Sequence, residues 1–476
     1  MFLNHRFIRK SILGIYFASI FLMLCACNKN SVPKTHNNRP NIILIVADDL
    51  GYGDLSCYGQ KLFETPNIDL LAKRGIRFTH FYAGASICAP SRSTLITAQH
   101  TGHTPIRGNK KVEPEGQFPL PGDSPSLAKL LKEGGYITGV FGKWGLGFPG
   151  SSGDPLHQGF DFFYGYNCQT LAHSYYPQYL WNNKEKQYFP EEDIYSPAII
   201  HEKALDFIKS HKDTSFFLYY PTTIPHAELL IPDKYLDQFK DQYLPEKAYK
   251  NESDTLFGSQ KYKSQKYPRA AYAAMIHLLD TQVGDIIKML NQLKIDSNSI
   301  IIFTSDNGPH KEGGSDPVFF NSNGNLRGYK RDLYEGGIRV PFIASWPGTI
   351  RRRVSNNALA FWDIMPTVCD IANVNIPKVI DGISFKDELI NGDSIKTHEF
   401  LYWEDPSEEI QAVRMADWKG LQFWNGTDSP LFELYNLKTD PNEQHNVADK
   451  NPDKVLKIKE IMRSQHVESE EFPFVK

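Results

Sequence analysis

Cys88-Ala89-Pro90-Ser91-Arg92 is the stretch best suited to chemistry. Pro and Ser just after the Cys suit the first turn of a helix, whose free N–H groups can face an anion. Arg92, one turn on, can reach back towards Cys88. A thiol so placed can act as a thiolate nucleophile. Out of context, a Cys before a helix reads as a buried apolar side chain. Two further pairs belong with it. Asp48-Asp49 ends one apolar run and Asp306-Asn307 ends another. Three carboxylates and an amide oxygen make an all-oxygen site for a hard cation, and a flexible set of this kind favours Ca2+ over Mg2+. Either pair alone would serve as well for a cap or a turn. Lys143 and His226 also follow apolar runs.

These residues need strands to carry them. The run from Pro40 to Asp49 is apolar throughout before its carboxylates, which fits a strand buried on both faces of a parallel sheet. Tyr136 to Gly142, Phe216 to Tyr220, Ile300 to Thr304 and Pro341 to Trp346 repeat the pattern. Helical patterns fill the gaps at Ser126 to Lys132, Pro197 to Lys209, Ala270 to Leu293 and Phe361 to Ala372. In the longest, Ile276, Leu279, Val283, Ile286, Ile287 and Leu290 fall on one face. The alternation predicts an α/β fold with a mainly parallel sheet, whose ligands sit at the carboxyl ends of the strands. Beyond about residue 390 the pattern changes to short strand-like runs and a final helix from Pro452 to Ser464. That predicts a catalytic domain over 39–392 and a smaller α+β subdomain over 393–476.

The 476 residues carry a formal net charge of -3, with 41% hydrophobic and 22% charged residues. This is the composition of a soluble globular chain, and it excludes a basic field for nucleic acid. His5, Arg6, Arg9 and Lys10 precede an apolar run from Ser11 to Leu24 that is short for a membrane span, so residues 1–26 read as a signal segment. Its end, Leu24-Cys25-Ala26-Cys27, resembles a bacterial lipobox. The resemblance implies a lipid on Cys27, a tether over 27–38 and a place in the cell envelope, periplasmic or outer-membrane. An ordinary cleaved signal is the alternative. Cys57, Cys88, Cys168 and Cys369 lack the pair spacing of a zinc site. With Cys88 consumed by chemistry, the other three allow one disulfide at most.

Cys88-x-Pro90-Ser91-Arg92 is similar to the maturation signature of the sulfatase family, in the alkaline-phosphatase-like superfamily. The similarity runs from about Pro40 to about Val447. It takes in Asn41 to Asp49, Gly142-Lys143-Trp144, Pro225-His226, Ser305-Asp306-Asn307-Gly308, Leu326-Arg327-Gly328 with Lys330, Glu335 to Pro341, Glu433 to Leu437 and Asp440-Pro441-Asn442-Glu443. Each motif is weak alone; their number and order are specific. The resemblance implies an α/β/α sandwich, and a maturation enzyme that oxidises Cys88 to formylglycine. The hydrated aldehyde would attack sulfur and then expel sulfate by elimination. Asp48, Asp49, Asp306 and Asn307 would bind Ca2+. Arg92 would hold the diol, Lys143 and Lys330 the sulfate oxygens, and His226 would protonate the leaving alcohol.

Two motifs depart from the family. Gly142-Lys143-Trp144-Gly145-Leu146-Gly147 has Gly145 where many sulfatases have His, so the usual base for elimination is absent. His310, His173 and His103 are the candidates to replace it. Thr97-Ala98-Gln99 stands where the family often has Thr-Gly-Arg. The variant motifs resemble those of bacterial polysaccharide and glycosaminoglycan sulfatases. This implies a sulfated saccharide substrate, by resemblance galactose or N-acetylgalactosamine 4-sulfate. His173, His310 and Arg327 are the expected substrate-binding residues. Asp161, Tyr164, Asn167, His173 and Tyr175 form an aromatic, polar stretch suited to a sugar, or equally to a packed Tyr-rich loop. The alternatives are a phosphomonoester or phosphodiester hydrolase of the same superfamily, and an inactive glycan-binding lipoprotein.

Overall fold

The computed structural model describes residues 39–191, 193–251, 262–393, 395–424, 426 and 429–474. The expected signal, the Cys27 anchor and the tether lie outside the described residues.

The strands of the main sheet are β1 (Asn41–Ala47), β2 (Ile76–Tyr82), β3 (Ile137–Lys143), β4 (Phe162–Tyr166), β5 (Tyr179–Asn182), β6 (Glu185–Tyr188), β7 (Phe216–Pro221), β8 (Ser299–Ser305), β9 (Arg339–Ser345), β10 (Arg353–Ser355) and β11 (Leu359–Ala360). They lie in the order β10-β2-β9-β8-β1-β7-β3-β4-β5-β6, with β11 also on β2. The centre is parallel: β1 pairs with β7 and β8, and β3 with β7 and β4. The flanks are not. β9 runs antiparallel to both β8 and β2, and β5 and β6 form an antiparallel hairpin outside β4.

The apolar run of β1 has a direct physical reason. Ile43, Ile45 and Ala47 enter one core, whereas Ile42, Leu44 and Val46 enter the other, on the opposite face of the sheet. Alternate side chains point to opposite faces, so a strand covered on both sides must be apolar at every position. The helices of seven or more residues are α1 (Pro66–Arg74), α2 (Cys88–Thr97), α3 (Leu127–Glu133), α4 (Ser196–Ser210), α5 (Pro268–Leu293), α6 (Ile364–Ile371) and α7 (Pro452–Gln465). α1, α4 and α5 cover the first face; α2, α3 and α6 cover the second. This is the expected α/β/α sandwich.

A second, antiparallel sheet follows, β12 (Leu401–Asp405), β13 (Ile410–Met415), β14 (Trp418–Phe423) and β15 (Leu431–Asn436), with α7 packed on it. It is the expected α+β portion, and residues 39–476 form one compact unit with it. Its attachment is ionic as well as apolar. Lys419 Nζ on β14 lies 3.0 Å from Glu335 Oε1 and 3.1 Å from Glu443 Oε1, with all three side chains buried. Glu443 Oε2 also accepts the Glu335 backbone N–H at 2.7 Å. The second sheet therefore grips the loop between β8 and β9, which carries Lys330. Among the described residues Cys57, Cys88, Cys168 and Cys369 are all free thiols.

Candidate active site

Four neighbouring parallel strands, in the order β8-β1-β7-β3, end at one rim of the sheet. Asp48 and Asp49 follow β1, Asp306 and Asn307 follow β8, Lys143 is the last residue of β3, and His226 lies in the loop after β7. Cys88 opens α2. The turn after β1 is tied to both neighbours: Asp48 N–H donates to the Ile224 carbonyl at 3.1 Å, and Asp49 N–H to Asp306 Oδ1 at 3.0 Å. Asp49 has φ 64°, a left-handed conformation that aspartate tolerates better than most residues. Gly308 must be glycine, because a Cβ there would lie 2.0 Å from the Gly336 carbonyl oxygen.

The charged side chains meet around Cys88. Its Sγ lies 3.4 Å from Asp48 Oδ1 and 3.5 Å from Lys143 Nζ. Lys143 Nζ is 2.7 Å from Asp48 Oδ2, and Lys330 Nζ is 2.8 Å from Asp49 Oδ2. Arg92 donates Nη2 and Nε to Asp306 Oδ2 at 2.8 and 3.1 Å, and Nη1 to the Lys143 carbonyl at 2.6 Å. His226 Nδ1 donates to the Ala227 carbonyl, which leaves Nε2 bare to accept from Lys330 Nζ at 3.1 Å. The backbone N–H groups of α2 are less available than expected. Ala89 N–H goes to Asn109 Oδ1, Pro90 has none, and Ser91 N–H returns to the Ile87 carbonyl. An anion here would meet the side chains of Lys143 and Lys330 rather than these N–H groups.

These contacts set the protonation states. Burial alone would lower Lys143 and Lys330, but Asp48 beside one and Asp49 beside the other hold both above the ordinary lysine value. Burial would raise Asp48, yet Lys143 and Arg92 hold it well below the carboxylate range. Burial, with Asp48 close by, pushes Asp306 up to about 6 despite Arg92. Burial and then Lys330 push His226 well below its ordinary value, so the ring is neutral. Burial, reinforced by Asp48 and Asp306, pushes the Cys88 thiol well up, and Lys143 does not offset it. In this environment the Cys88 thiol is harder to ionise than a free one, which weighs against a thiolate nucleophile.

The residues fit a hard cation. Asn307 Nδ2 donates to Asp49 Oδ1 at 2.7 Å and to the Gly308 carbonyl at 2.9 Å. Its Oδ1 is buried with no hydrogen-bond partner. Turning the amide over would set oxygen against carboxylate, so Oδ1 must face outward from that pair. A buried acceptor without a donor, beside three carboxylates, is what a cation would satisfy.

Other expected site residues lie differently. His173 stacks on His226 with ring centroids 4.8 Å apart, and burial pushes it down to about 4. His310 uses both nitrogens: Nε2 donates to the Pro225 carbonyl at 3.2 Å, and Nδ1 accepts from Glu312 N–H at 3.1 Å. His103 is stacked on His100 and bound to Asp381 at 2.9 Å, outside this cluster. Arg327 is not brought to Cys88. Its guanidinium lies 3.8 Å over the Tyr334 ring and donates to Tyr435 Oη and the Glu443 carbonyl, so it joins the two sheets. The sequence reading missed Glu312, whose carboxylate is 3.6 Å from Lys330 Nζ. Lys311-Glu312 reads as ordinary surface sequence and gives no signal.

A family model described as Sulfatase matches residues 40–374. The chain belongs to the sulfatase family. A second model, described as N-sulphoglucosamine sulphohydrolase, C-terminal, matches residues 327–470 of this sulfatase. Human arylsulfatase A is 31% identical, over 89% of this chain and 87% of its own. An N-acetylgalactosamine-6-O-sulfatase of Bacteroides thetaiotaomicron is 28% identical, over 93% and 96%. A crystal structure of Ps i-CgsB in complex with k-i-k-neocarrahexaose superposes with a TM-score of 0.73 at 26% identity, over 90% of this chain and 93% of that one. The sandwich is thus the sulfatase, alkaline-phosphatase-like fold.

Asn307→Leu keeps the branched side-chain shape but removes the amide, orphan oxygen included, and Asp306→Ala removes a carboxylate. Elemental analysis and calorimetric titration of the purified protein should find about one tightly held calcium in the wild type and none in either variant. Stoichiometric zinc, or calcium retained by both variants, would contradict the assignment.

Proposed function

We propose that this sulfatase removes sulfate from a sulfated glycan, using formylglycine made from Cys88 and a calcium ion held by Asp48, Asp49, Asp306 and Asn307. The observation that carries the reading is the place of Cys88 Sγ, between the Asp48 carboxylate and the Lys143 ammonium in a buried charged cluster. A buried thiol is a weak donor and acceptor for so charged a position, whereas an oxygen there would bond both groups well. Formylglycine would supply, through its hydrate, a hydroxyl that attacks sulfur and an elimination that frees the residue again; calcium would supply positive charge to the sulfate oxygens.

The chain's own residues do the rest. Lys143 and Lys330 enter the reaction charged, each held so by the carboxylate beside it, and bind the sulfate oxygens. Arg92 holds Asp306 in register with the end of β3, through the Lys143 carbonyl. The Ala227 carbonyl fixes the His226 tautomer, so that Nε2 faces Lys330 Nζ and the two groups share one proton. We assign to the leaving oxygen of the sugar that proton, drawn from Lys330 and handed on through His226 Nε2, which leaves Lys330 neutral until the site is reprotonated. Relatives named as N-acetylgalactosamine-6-sulfatases support an N-acetylgalactosamine unit, and a similar structure holding a neocarrahexaose supports a glycan. The choice between a sulfate on O4 and one on O6 is read by a panel of defined monosaccharide sulfates.

Protein made together with a maturation enzyme should show a mass loss of about 18 Da on the peptide holding Cys88, as thiol becomes aldehyde. Cys88→Ala should lose both this signature and turnover; full activity in that variant would end the proposal. His226→Ala separates roles. A positioned acid contributes roughly 10²–10⁴-fold when the leaving group is a poor one. The variant should lose far more activity on a sugar sulfate than on nitrophenyl sulfate. Equal losses would make His226 a sulfate ligand or a structural residue.

A further inference from the structure

Gln169 lies just beyond β4 and is only 5% exposed, yet neither Nε2 nor Oε1 of its amide has a hydrogen-bond partner. A buried amide that gives up its hydrogen bonds on both sides is costly, and such groups in a native fold call for an explanation. Its surroundings supply one. Gly145 N–H donates to the Asn167 carbonyl at 3.0 Å, so the segment after β4 continues alongside the segment after β3. A Cβ on Gly145 would lie 2.0 Å from Gln169 Nε2. The amide occupies the space that a side chain at position 145 would take, and Gly145 itself, at φ 77°, favours having none.

This space adjoins the reactive cluster from two sides. Gly145 is two residues beyond Lys143, whose Nζ is 3.5 Å from Cys88 Sγ. Gln169 N–H donates to Gln117 Oε1 at 3.0 Å. Gln117 belongs to the same loop as Asn109, whose Oδ1 accepts Ala89 N–H beside Cys88. A second orphan lies on the same strand extension: Asn167 Oδ1 is buried without a partner. These groups are uncharged. Sulfate oxygens are already faced by Lys143 and Lys330, whereas an amide, with a donor and an acceptor, matches a hydroxyl that both gives and takes a hydrogen bond.

We infer that Gln169, with Asn167, forms a subsite that hydrogen-bonds a ring hydroxyl of the sugar beside its sulfate ester, in the room left by Gly145. The inference rests on the glycan-sulfatase reading and adds a specificity-determining residue to it. A site built to bond a hydroxyl discriminates strongly against a substrate without one.

The test uses the matured full-length enzyme, N-acetylgalactosamine sulfate and nitrophenyl sulfate, which has no sugar hydroxyl. In Gln169→Ala the ratio of kcat/KM for the sugar sulfate to that for nitrophenyl sulfate should fall by about 10–100-fold. Gln169→Glu, which keeps the shape and the acceptor but loses the donor, should give a smaller fall in the same direction. The thermal midpoint should hold or rise in Gln169→Ala, since an unpaired amide is removed; a merely structural amide would lower it. An unchanged ratio, or equal losses on both substrates, overturns the assignment. Wild-type protein that cleaves nitrophenyl sulfate but no sugar sulfate overturns the glycan reading, and the subsite with it.

Discussion

Three carboxylates and three cationic side chains are buried together where four parallel strands end, and much of the structure serves to keep them there. Asp48, Asp49 and Asp306 oppose Arg92, Lys143 and Lys330, all 9% exposed or less. Each ion loses several kcal/mol of hydration on burial, and a pair at 2.8 Å recovers roughly 6 kcal/mol at an effective dielectric near 20. The balance is close, and apolar residues in the same volume would stabilise the fold as well or better. Such a cluster is poor evidence for stability and good evidence for a ligand. Its charges cancel formally, so a divalent cation enters most easily together with an anion. Asp306, pushed up to about 6, is the carboxylate that a cation would most readily hold ionised.

Holding opposed charges in place to within a fraction of an ångström requires a stiff frame. The strand ends provide one, because β8, β1, β7 and β3 are paired side by side and covered on both faces. Two charges come from elsewhere: Arg92 from α2, and Lys330 from the long loop between β8 and β9. That loop is held from outside. Arg327 is fixed to Tyr435 and Glu443, and Glu335 to Lys419 and Tyr82. The C-terminal sheet thus positions Lys330 without entering the site. This accounts physically for the Glu433 to Leu437 and Asp440 to Glu443 motifs, which carry no chemistry of their own.

The parts of this architecture that were legible in the sequence share one property: a local pattern with a single cause. Strands covered on both faces read as unbroken apolar runs, and carboxylates or amides directly after them read as a rim of ligands. β2 was not legible, because Ile76 to Tyr82 mixes buried and half-buried positions. Nor was the full burial of α2, where Ser91 and Arg92 find Asp306, far away in sequence, while Thr94 and Thr97 donate back to the Ser91 and Ser93 carbonyls. Arg327, expected at the substrate, donates instead to Tyr435 and the Glu443 carbonyl, contacts that no local pattern announces. Gln169 gave no signal because its meaning comes from Gly145, which is distant in sequence and adjacent in space. Residue type and spacing locate the charged centre; tertiary contact alone locates what surrounds it.

The central claim is that the cluster is built around a sulfate ester rather than the phosphate ester that the same superfamily also accommodates. The direct measurement is hydrolysis of nitrophenyl sulfate and nitrophenyl phosphate side by side, with matured, calcium-loaded protein. The account predicts a kcat/KM at least about 100-fold higher for the sulfate ester, abolished for it by Cys88→Ala, a difference of roughly 2.7 kcal/mol in transition-state binding. Equal rates, or faster release of phosphate, would contradict it.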